Sequence, residues 1–215
     1  MKKILTTLLI LSGIYSVSHA QTRNTAEFGV NIGYNAAYVT EGQNLNSASI
    51  SGFNAGVSAE YYFSDRWGIK GKLTYDQKGL DNGYLAFYDN NGNSTEVDGV
   101  NYHLNYLTIP VMADWHFGRM RNWYLNFGPY VGVLLNATES SNSGVDIKSG
   151  INTTDVGLAL GIGVKFPISN SAKLFIETDG QGGVTNVFKN NDFQTGQSSQ
   201  NVRSSINFGI LFPLK

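Results

Sequence analysis

The chain has 215 residues and a formal net charge of −1; 14% of its residues are charged, 13% are aromatic and none is cysteine. Without cysteine, disulfides, thiolate metal sites and cysteine catalysis are excluded, and the near-neutral charge gives no electrostatic footprint for nucleic acid. The charged fraction is well below the roughly 25% that is usual for soluble domains. After the first twenty residues, no segment reaches the roughly 18 consecutive apolar residues that indicate a membrane helix, so a helical membrane protein is excluded too.

The first twenty residues have the pattern of an export signal. Lys2-Lys3 gives a basic start, residues 4–14 are mainly apolar, and residues 18–20 (Ser-His-Ala) are small enough at the positions that a signal peptidase reads. The apolar run is shorter than the roughly 20 residues that a membrane helix needs. We therefore predict a signal peptide over residues 1–20 and a single barrel domain over residues 21–215.

Alternation of apolar and polar residues is clearest from Leu104 to Phe117. The apolar positions are Leu107, Ile109, Val111, Ala113, Trp115 and Phe117. The residues between them are small, mixed or ionisable. A period of two predicts a strand, not a helix. An apolar side of this kind, opposite a mixed side with little charge, favours a closed barrel in lipid with its apolar side outward.

The same alternation recurs in seven other segments, which makes 104–117 the fourth of eight strands. These segments cover residues 27–38, 53–63, 67–76, 123–133, 156–166, 174–181 and 202–214. Long polar connections are predicted at 40–51, 79–100, 136–152 and 188–200, and short ones at 64–66, 118–122 and 169–171. Long loops on one rim and short turns on the other are typical of bacterial barrels, whose short turns and termini lie in the periplasm. We therefore predict an all-β, eight-stranded antiparallel up-and-down transmembrane β-barrel in the outer membrane of a Gram-negative cell envelope, with both termini in the periplasm.

Aromatic residues support this interpretation, because many of them fall beside the short turns or the C-terminus on the outward side. They are Phe63, Trp67, Trp115, Phe117, Trp123, Phe166 and Phe212. Such a set predicts an aromatic girdle at one lipid interface. The last strand, residues 207–214, also resembles the terminal signal that the barrel-insertion machinery reads. Outer-membrane lipid and that machinery are therefore expected partners.

Ionisable residues of both signs are predicted to point into the lumen. They are Glu27, Glu60, Lys70, Lys72, Asp76, Asp114, His116, Lys165, Glu177, Asp179 and Arg203. An eight-stranded barrel has an interior just wide enough for side chains to fill, and an unpaired charge removed from water costs several kcal/mol. We expect these residues to pair in a structural polar network, with no catalytic role.

Catalytic histidine chemistry has little support in the sequence. After the signal, only His103, near the predicted loop rim, and His116, on the same inward side as Asp114, remain. No Gly-x-Ser-x-Gly nucleophile motif occurs. We predict no catalytic residue, and a rim-located enzyme that modifies lipid is kept as an alternative.

Two further segments resemble ligand-binding motifs only in part. Residues 161–166 begin like a dinucleotide-binding loop but lack its last glycine and lie within a predicted strand. Residues 89–93 begin like a calcium loop, yet Ser94 and Val100 stand where the glycine and the bidentate acid are required. We therefore expect no metal and no cofactor.

Several segments are similar to a known family. Residues 107–111 (Leu-Thr-Ile-Pro-Val), followed by Trp-His-Phe at 115–117, resemble the "L-x-I-P" strand of the PorT-like outer-membrane β-barrel proteins. Residues 128–132, 161–163 and 183–187 resemble later strands of that family. The resemblance covers essentially all of the mature chain and implies an eight-stranded outer-membrane barrel. It implies no common catalytic residues, and the link of the family's namesake to protein secretion need not extend to this chain.

The expected function is a non-enzymatic structural or binding role, through the extracellular loops or through contacts with an envelope protein or extracellular ligand. Within the longest predicted loop, Tyr84, Phe87 and Tyr88 form a possible binding surface. The alternatives are a small-solute channel and the rim enzyme already named. A soluble lipocalin-like barrel is the structural alternative, although its outer face should carry more charge.

Overall fold

The computed structural model describes residues 23–41, 48–88, 94–140, 144–189 and 199–214, and the side chains of all of these except 82–98 and 100. The predicted signal peptide lies outside the described residues. Almost all of the described chain is β-strand. The strands are β1 (Thr25–Glu41), β2 (Ile50–Tyr62), β3 (Trp67–Tyr88), β4 (Ser94–Phe117), β5 (Trp123–Glu139), β6 (Val145–Asp146), β7 (Thr154–Ser169), β8 (Ala172–Gly183) and β9 (Ser199–Leu214). No helix in the described part of the chain is long and apolar enough to cross a membrane.

The sheet closes on itself. Each long strand pairs antiparallel with its neighbours along the chain, β4 pairs with β5, and β1 pairs with β9 along almost its whole length. The two-residue β6 adds only to the end of β5. The other eight strands form a closed up-and-down barrel, which confirms the predicted fold class.

The two ends of the barrel differ in their connections. Residues 63–66, 118–122 and 170–171 form short turns at one end, where Thr25 and Leu214 also lie; we call this the turn end. The opposite end, which we call the loop end, carries the long connections. The positions of the short turns agree closely with those predicted from the sequence.

One predicted loop is wrong. Residues 79–100 are mostly strand, because β3 continues to Tyr88 and β4 starts at Ser94, with Leu85 opposite Val97 in the register. The segment looked like a loop because its apolar alternation is lost. Tyr84, Phe87 and Tyr88 therefore lie on β3, in a long hairpin, and the contacts of their side chains fall outside the described residues.

Side chains alternate across the barrel wall along each strand. The outward side is apolar and exposed, reaching 69% for Ile32 and 66% for Leu158. The inward side is polar over most of the barrel and almost completely buried. This is the arrangement expected of a barrel whose outer wall contacts lipid.

Candidate functional site

The lumen contains every ionisable residue that the sequence placed there. They are Glu27, Glu60, Lys70, Lys72, Asp76, Asp114, His116, Lys165, Glu177, Asp179 and Arg203. All are buried except Asp179, whose side chain is 13% exposed. Three further charged residues, Lys78, Asp155 and Lys173, also point inward and are buried. Sequence reasoning missed these three, although each continues the inward alternation of its strand.

Near the turn end, two lysines hold two glutamates. The Lys165 ammonium contacts Glu60 directly and lies 3.3 Å from Glu27 Oε2. Lys173 Nζ lies 2.5 Å from Glu27 Oε1. The Tyr62 hydroxyl oxygen lies 2.6 Å from Glu60 Oε2 and 2.9 Å from Glu27 Oε2. Each buried carboxylate therefore has a cation partner, which offsets its lost hydration. The single hydrogen of the Tyr62 hydroxyl is donated to only one of the two carboxylates at a time.

Glu177 is the centre of the next cluster. Its carboxylate accepts from Lys70 Nζ at 2.8 Å, from Lys72, and from the Asn126 amide at 2.8 Å. Lys70 also lies 3.1 Å from Glu60 Oε1, so the two clusters form one network. The Lys70 ammonium stands 4.8 Å from the centre of the Tyr124 ring, within cation–π range.

Above Glu177, a second set of contacts extends the network along the lumen. Arg203 contacts Asp179 and lies 3.2 Å from Asp76, and Lys72 lies 3.2 Å from Asp179. A file of three asparagines ends at the same Asp76. Asn31 donates to Asn54 (3.1 Å), Asn54 to Asn35 (2.7 Å), and Asn35 to the Asp76 carboxylate (2.8 Å). Because a carboxylate only accepts, Asp76 fixes the orientation of all three amides.

The polar network ends at an ion pair that is more isolated. Lys78 Nζ lies 2.8 Å from Asp155 Oδ2, and the Tyr130 hydroxyl donates to the same carboxylate oxygen at 3.2 Å. The Lys78 ammonium also stands 4.5 Å from the centre of the Tyr130 ring. This pair marks the boundary between the charged part of the lumen and an apolar part.

At the loop end the lumen is filled by apolar side chains, which we call the loop-end plug. It consists of Val39, Leu80, Tyr102, Leu104, Tyr106, Leu134, Ala137, Ile151, Val187 and Phe188. Phe188 packs edge-on against Tyr102, and a backbone bridge joins it to Ile151. The described segments that hold Ile151, Val187 and Phe188 thus fold back over the lumen. A simple rule of polar inside and apolar outside does not anticipate this plug.

His116 is fully buried between two oxygen acceptors. Its Nδ1 lies 3.0 Å from the Arg121 carbonyl oxygen and its Nε2 lies 2.7 Å from Asp114 Oδ2. Since a carbonyl oxygen cannot donate, Nδ1 carries a hydrogen. Both ring nitrogens are therefore engaged: Nδ1 holds the adjacent turn and Nε2 contacts Asp114 on the same strand.

Glu60, Asp114 and His116 have their potential ligand atoms within 4.8 Å of one another. A metal ion there would compete with the ammonium groups of Lys70 and Lys165, which already neutralise Glu60. It would also have to displace a partner of His116. The donor set therefore fits a hydrogen-bonded structural cluster better than a metal centre.

The second histidine has no catalytic neighbours among the described residues. His103 is exposed and lies opposite Gly79 and Thr138 in the barrel register. With the described part of the chain it forms no side-chain hydrogen bond and no ion pair. No described serine or carboxylate is hydrogen-bonded to it, as a triad would require.

The predicted girdle residues lie on the outer wall beside the turn end. Phe63, Trp67, Trp115, Trp123, Phe166 and Phe212 are exposed, and Phe117 is half-buried. Four of them form a continuous row across β3, β4 and β5, which we call the aromatic stack. Ring centres are 6.1 Å apart for Trp67 and Trp115, 5.2 Å for Trp115 and Phe117, and 6.4 Å for Phe117 and Trp123.

Several solved structures are similar to the chain at low sequence identity. Ail of Yersinia pestis is 16% identical, with a TM-score of 0.43, and covers 89% of this chain and 100% of its own. Neisserial surface protein A is 16% identical, with a TM-score of 0.48, and covers 86% and 96%. OprG of Pseudomonas aeruginosa is 10% identical, with a TM-score of 0.48, and covers 91% and 99%.

No curated protein matches the chain in a sequence comparison. A family model described as "Outer membrane protein beta-barrel domain" matches residues 19–189, which is more than half of the chain. That range begins before β1 and extends to the end of the loop-end plug. The chain therefore belongs to the outer membrane protein β-barrel domain family, and its eight long strands form a transmembrane barrel of the outer membrane.

Proposed function

We propose that this protein is a non-enzymatic outer-membrane barrel with a closed lumen, and that it acts through its loop end. The observation that carries the proposal is that the lumen is filled in two ways along its length. Ion pairs cross it from the turn end to Asp155, and the loop-end plug occupies the remainder. A filled lumen supports a structural or binding role over a role in transport.

The space left in the middle of the lumen supports the same conclusion. A cavity of about 10 Å³ is lined by Asn31, Lys72, Asn126 and Arg203, among others. This is room for about one water molecule. The carbonyl oxygens of Asn31 and Asn126 have no partner among the described groups, so a single bound water fits this space better than a stream of solutes.

An enzymatic role has less support than a binding role. His116 is buried with both nitrogens engaged, and the His103 side chain forms no hydrogen bond or ion pair with the described residues. We therefore propose that the protein acts by binding a partner at its loop end and not by catalysis. The β3–β4 hairpin, described over residues 79–88 and 94–100, extends past the last β2–β3 register pair at Asp76, and it is the surface that we assign to an envelope protein or an extracellular ligand.

We further propose that the loop end faces the cell exterior and that both termini are periplasmic. We also propose that the chain is a PorT-like member of its family. The short turns at one end and the long hairpin at the other support the orientation. The strand Leu107-Thr108-Ile109-Pro110-Val111 supports the PorT-like assignment. Neither a nucleic-acid partner nor a cofactor forms part of this proposal.

Conductance in planar lipid bilayers tests the closed lumen. We expect the purified full-length protein to insert without producing current steps, while a known porin in the same bilayer does produce them. Regular ohmic steps from the wild-type protein would overturn the proposal and favour the small-solute channel.

Labelling of single cysteines tests the orientation, because the chain has none of its own. Val145 at the loop end and Asn170 at the turn end are both exposed. In intact cells we expect a membrane-impermeant maleimide to label the Val145→Cys variant and to label Asn170→Cys only after the outer membrane is permeabilised. The reverse pattern would contradict the proposed orientation.

A further inference from the structure

Two neighbouring turns at the turn end place arginines directly beside the aromatic stack. Arg66 immediately precedes Trp67, while Arg119 and Arg121 lie between Phe117 and Trp123. Arg66 and Arg119 are exposed, and the Arg121 side chain is 25% exposed. The same part of the barrel rim therefore combines a wide aromatic surface with three guanidinium groups.

A backbone hydrogen bond and a side-chain ion pair hold this part of the rim together. The His116 backbone N–H donates to the Arg66 carbonyl oxygen at 2.7 Å, and Arg121 Nη1 lies 3.2 Å from Asp65 Oδ2. Arg121 has a φ of 55°, in the left-handed region. The hydrogen bond from the buried His116 ring to the Arg121 carbonyl stabilises that conformation. The arginines thus stand on a preformed platform and not on a loose loop.

The platform has an excess of positive charge. Asp65 is the acid that pairs with Arg121, but Arg66 and Arg119 form no ion pair with any residue in the described part of the chain. Aromatic rings in barrels settle at the level of the lipid headgroups. Guanidinium groups one or two residues beyond them reach the level of the phosphates, which they bind in a planar, bidentate manner.

We propose that Arg66, Arg119, Arg121 and the aromatic stack form a binding site for an anionic glycerophospholipid. Arg66 and Arg119 bind the phosphate, and Trp67, Trp115 and Trp123 contact the glycerol and the upper acyl chains. The inference rests on the proposed function, because it requires the turn end to lie at a phospholipid leaflet. Charge complementarity and the position of the rings favour this lipid over a second copy of the chain.

The three tryptophans provide a probe that is specific to this site. The chain has three tryptophans, and all of them lie in the aromatic stack, so the whole tryptophan fluorescence reports on lipids at the proposed site. Lipids brominated on the acyl chains quench tryptophan on contact. The experiment reconstitutes the full-length protein in two kinds of vesicle. One contains brominated phosphatidylglycerol in unbrominated phosphatidylcholine, and the other contains brominated phosphatidylcholine in unbrominated phosphatidylglycerol.

We expect the wild-type protein to prefer phosphatidylglycerol by about fivefold or more, because each basic side chain near an anionic surface contributes about that factor. The double variant Arg66→Gln with Arg119→Gln should lose the preference. The control, Lys148→Gln with Lys189→Gln, removes the same charge from exposed positions at the loop end and should keep it. Heat-modifiable gel mobility checks that each variant is folded.

Equal quenching of the wild-type protein by both lipids would overturn the lipid site while leaving the membrane barrel intact. Loss of preference in the lysine control as well as in the arginine variant would also overturn it, since bulk charge would then explain the result. Quenching by neither lipid would contradict the proposed function itself, because the aromatic stack would not contact lipid at all. The three outcomes therefore separate a failure of the site from a failure of the barrel assignment.

Discussion

The two halves of the lumen are filled by different kinds of interaction. Toward the turn end, most of the buried charged groups have a partner of opposite charge, in several cases across the lumen, as Lys165 has Glu60. Toward the loop end, the loop-end plug is held by contacts among apolar side chains. Apolar contacts are interchangeable to a degree, whereas a buried charge depends on its specific partner. The charged half should therefore tolerate single substitutions less well than the apolar half.

The largest effect is expected from Glu177→Ala. Removal of this carboxylate leaves Lys70 and Lys72 buried without their shared partner. We expect a loss of about 3–5 kcal/mol in the free energy of unfolding, measured by urea titration in lipid vesicles. If the variant were as stable as the wild type, the charged half would not depend on paired partners.

A smaller effect is expected at the boundary of the two halves. Lys78→Met alone leaves Asp155 unpaired and should cost about 3 kcal/mol. The double variant Lys78→Met with Asp155→Leu should recover most of that loss, because the adjoining plug is apolar. A double-mutant cycle from urea titrations measures the recovery. A double variant less stable than either single variant would show that the ion pair is needed for more than mutual neutralisation.

In the apolar half, Leu104→Ala should cost about 2 kcal/mol of unfolding free energy, through lost burial and a small cavity. The matched control is Ile109→Val on the same strand, whose side chain is 40% exposed on the outer wall. It should change stability by well under 1 kcal/mol, as a conservative change at a partly exposed site. Equal losses would mean that the loop-end plug is not packed as a core.

The smallest effect is expected for Asp65→Ala at the turn end. Its ion pair with Arg121 is exposed, with side-chain exposures of 60% and 25%. Such pairs contribute about 0–1 kcal/mol and are screened by salt. The unfolding free energy should change by no more than that, and less in high salt. A loss as large as that of Glu177→Ala would contradict the expectation that ion pairs at the rim contribute less stability than ion pairs in the lumen.

Much of the fold was predictable because a period of two is a local property. Whether Glu60 or Arg203 faces inward depends only on counting along one strand. Which residues meet across the lumen is not local: Lys165 and Glu60 are 105 positions apart, and Arg203 and Asp76 are 127 apart. Their pairing depends on the tilt and register of strands, which alternation does not encode.

The ends of the strands and the loop-end plug were harder to predict for another reason. Toward the loop end, β3 from Gly79 to Tyr88 lacks the regular apolar alternation of the rest of the strand, so its sequence resembles a loop. Leu80 and Leu104 point inward yet are apolar, whereas inward residues nearer the turn end are mostly polar. Their partners Val187 and Phe188 come from a segment with no clear periodicity.

The ion pairs that cross the lumen also bear on how the barrel is assembled. Lys165 on β7 meets Glu60 on β2, and Arg203 on β9 meets Asp76 on β3, although neither pair of strands is adjacent in the sheet. An open, partly inserted sheet can still pair Glu60 with Lys70 and Arg203 with Asp179, which lie on adjacent strands. It leaves Lys165 and Asp76 without a counterion, because their charged partners lie across the lumen. We expect sealing of the β1–β9 seam and neutralisation of the interior to be one cooperative step, so that half-closed intermediates remain hydrated and short-lived.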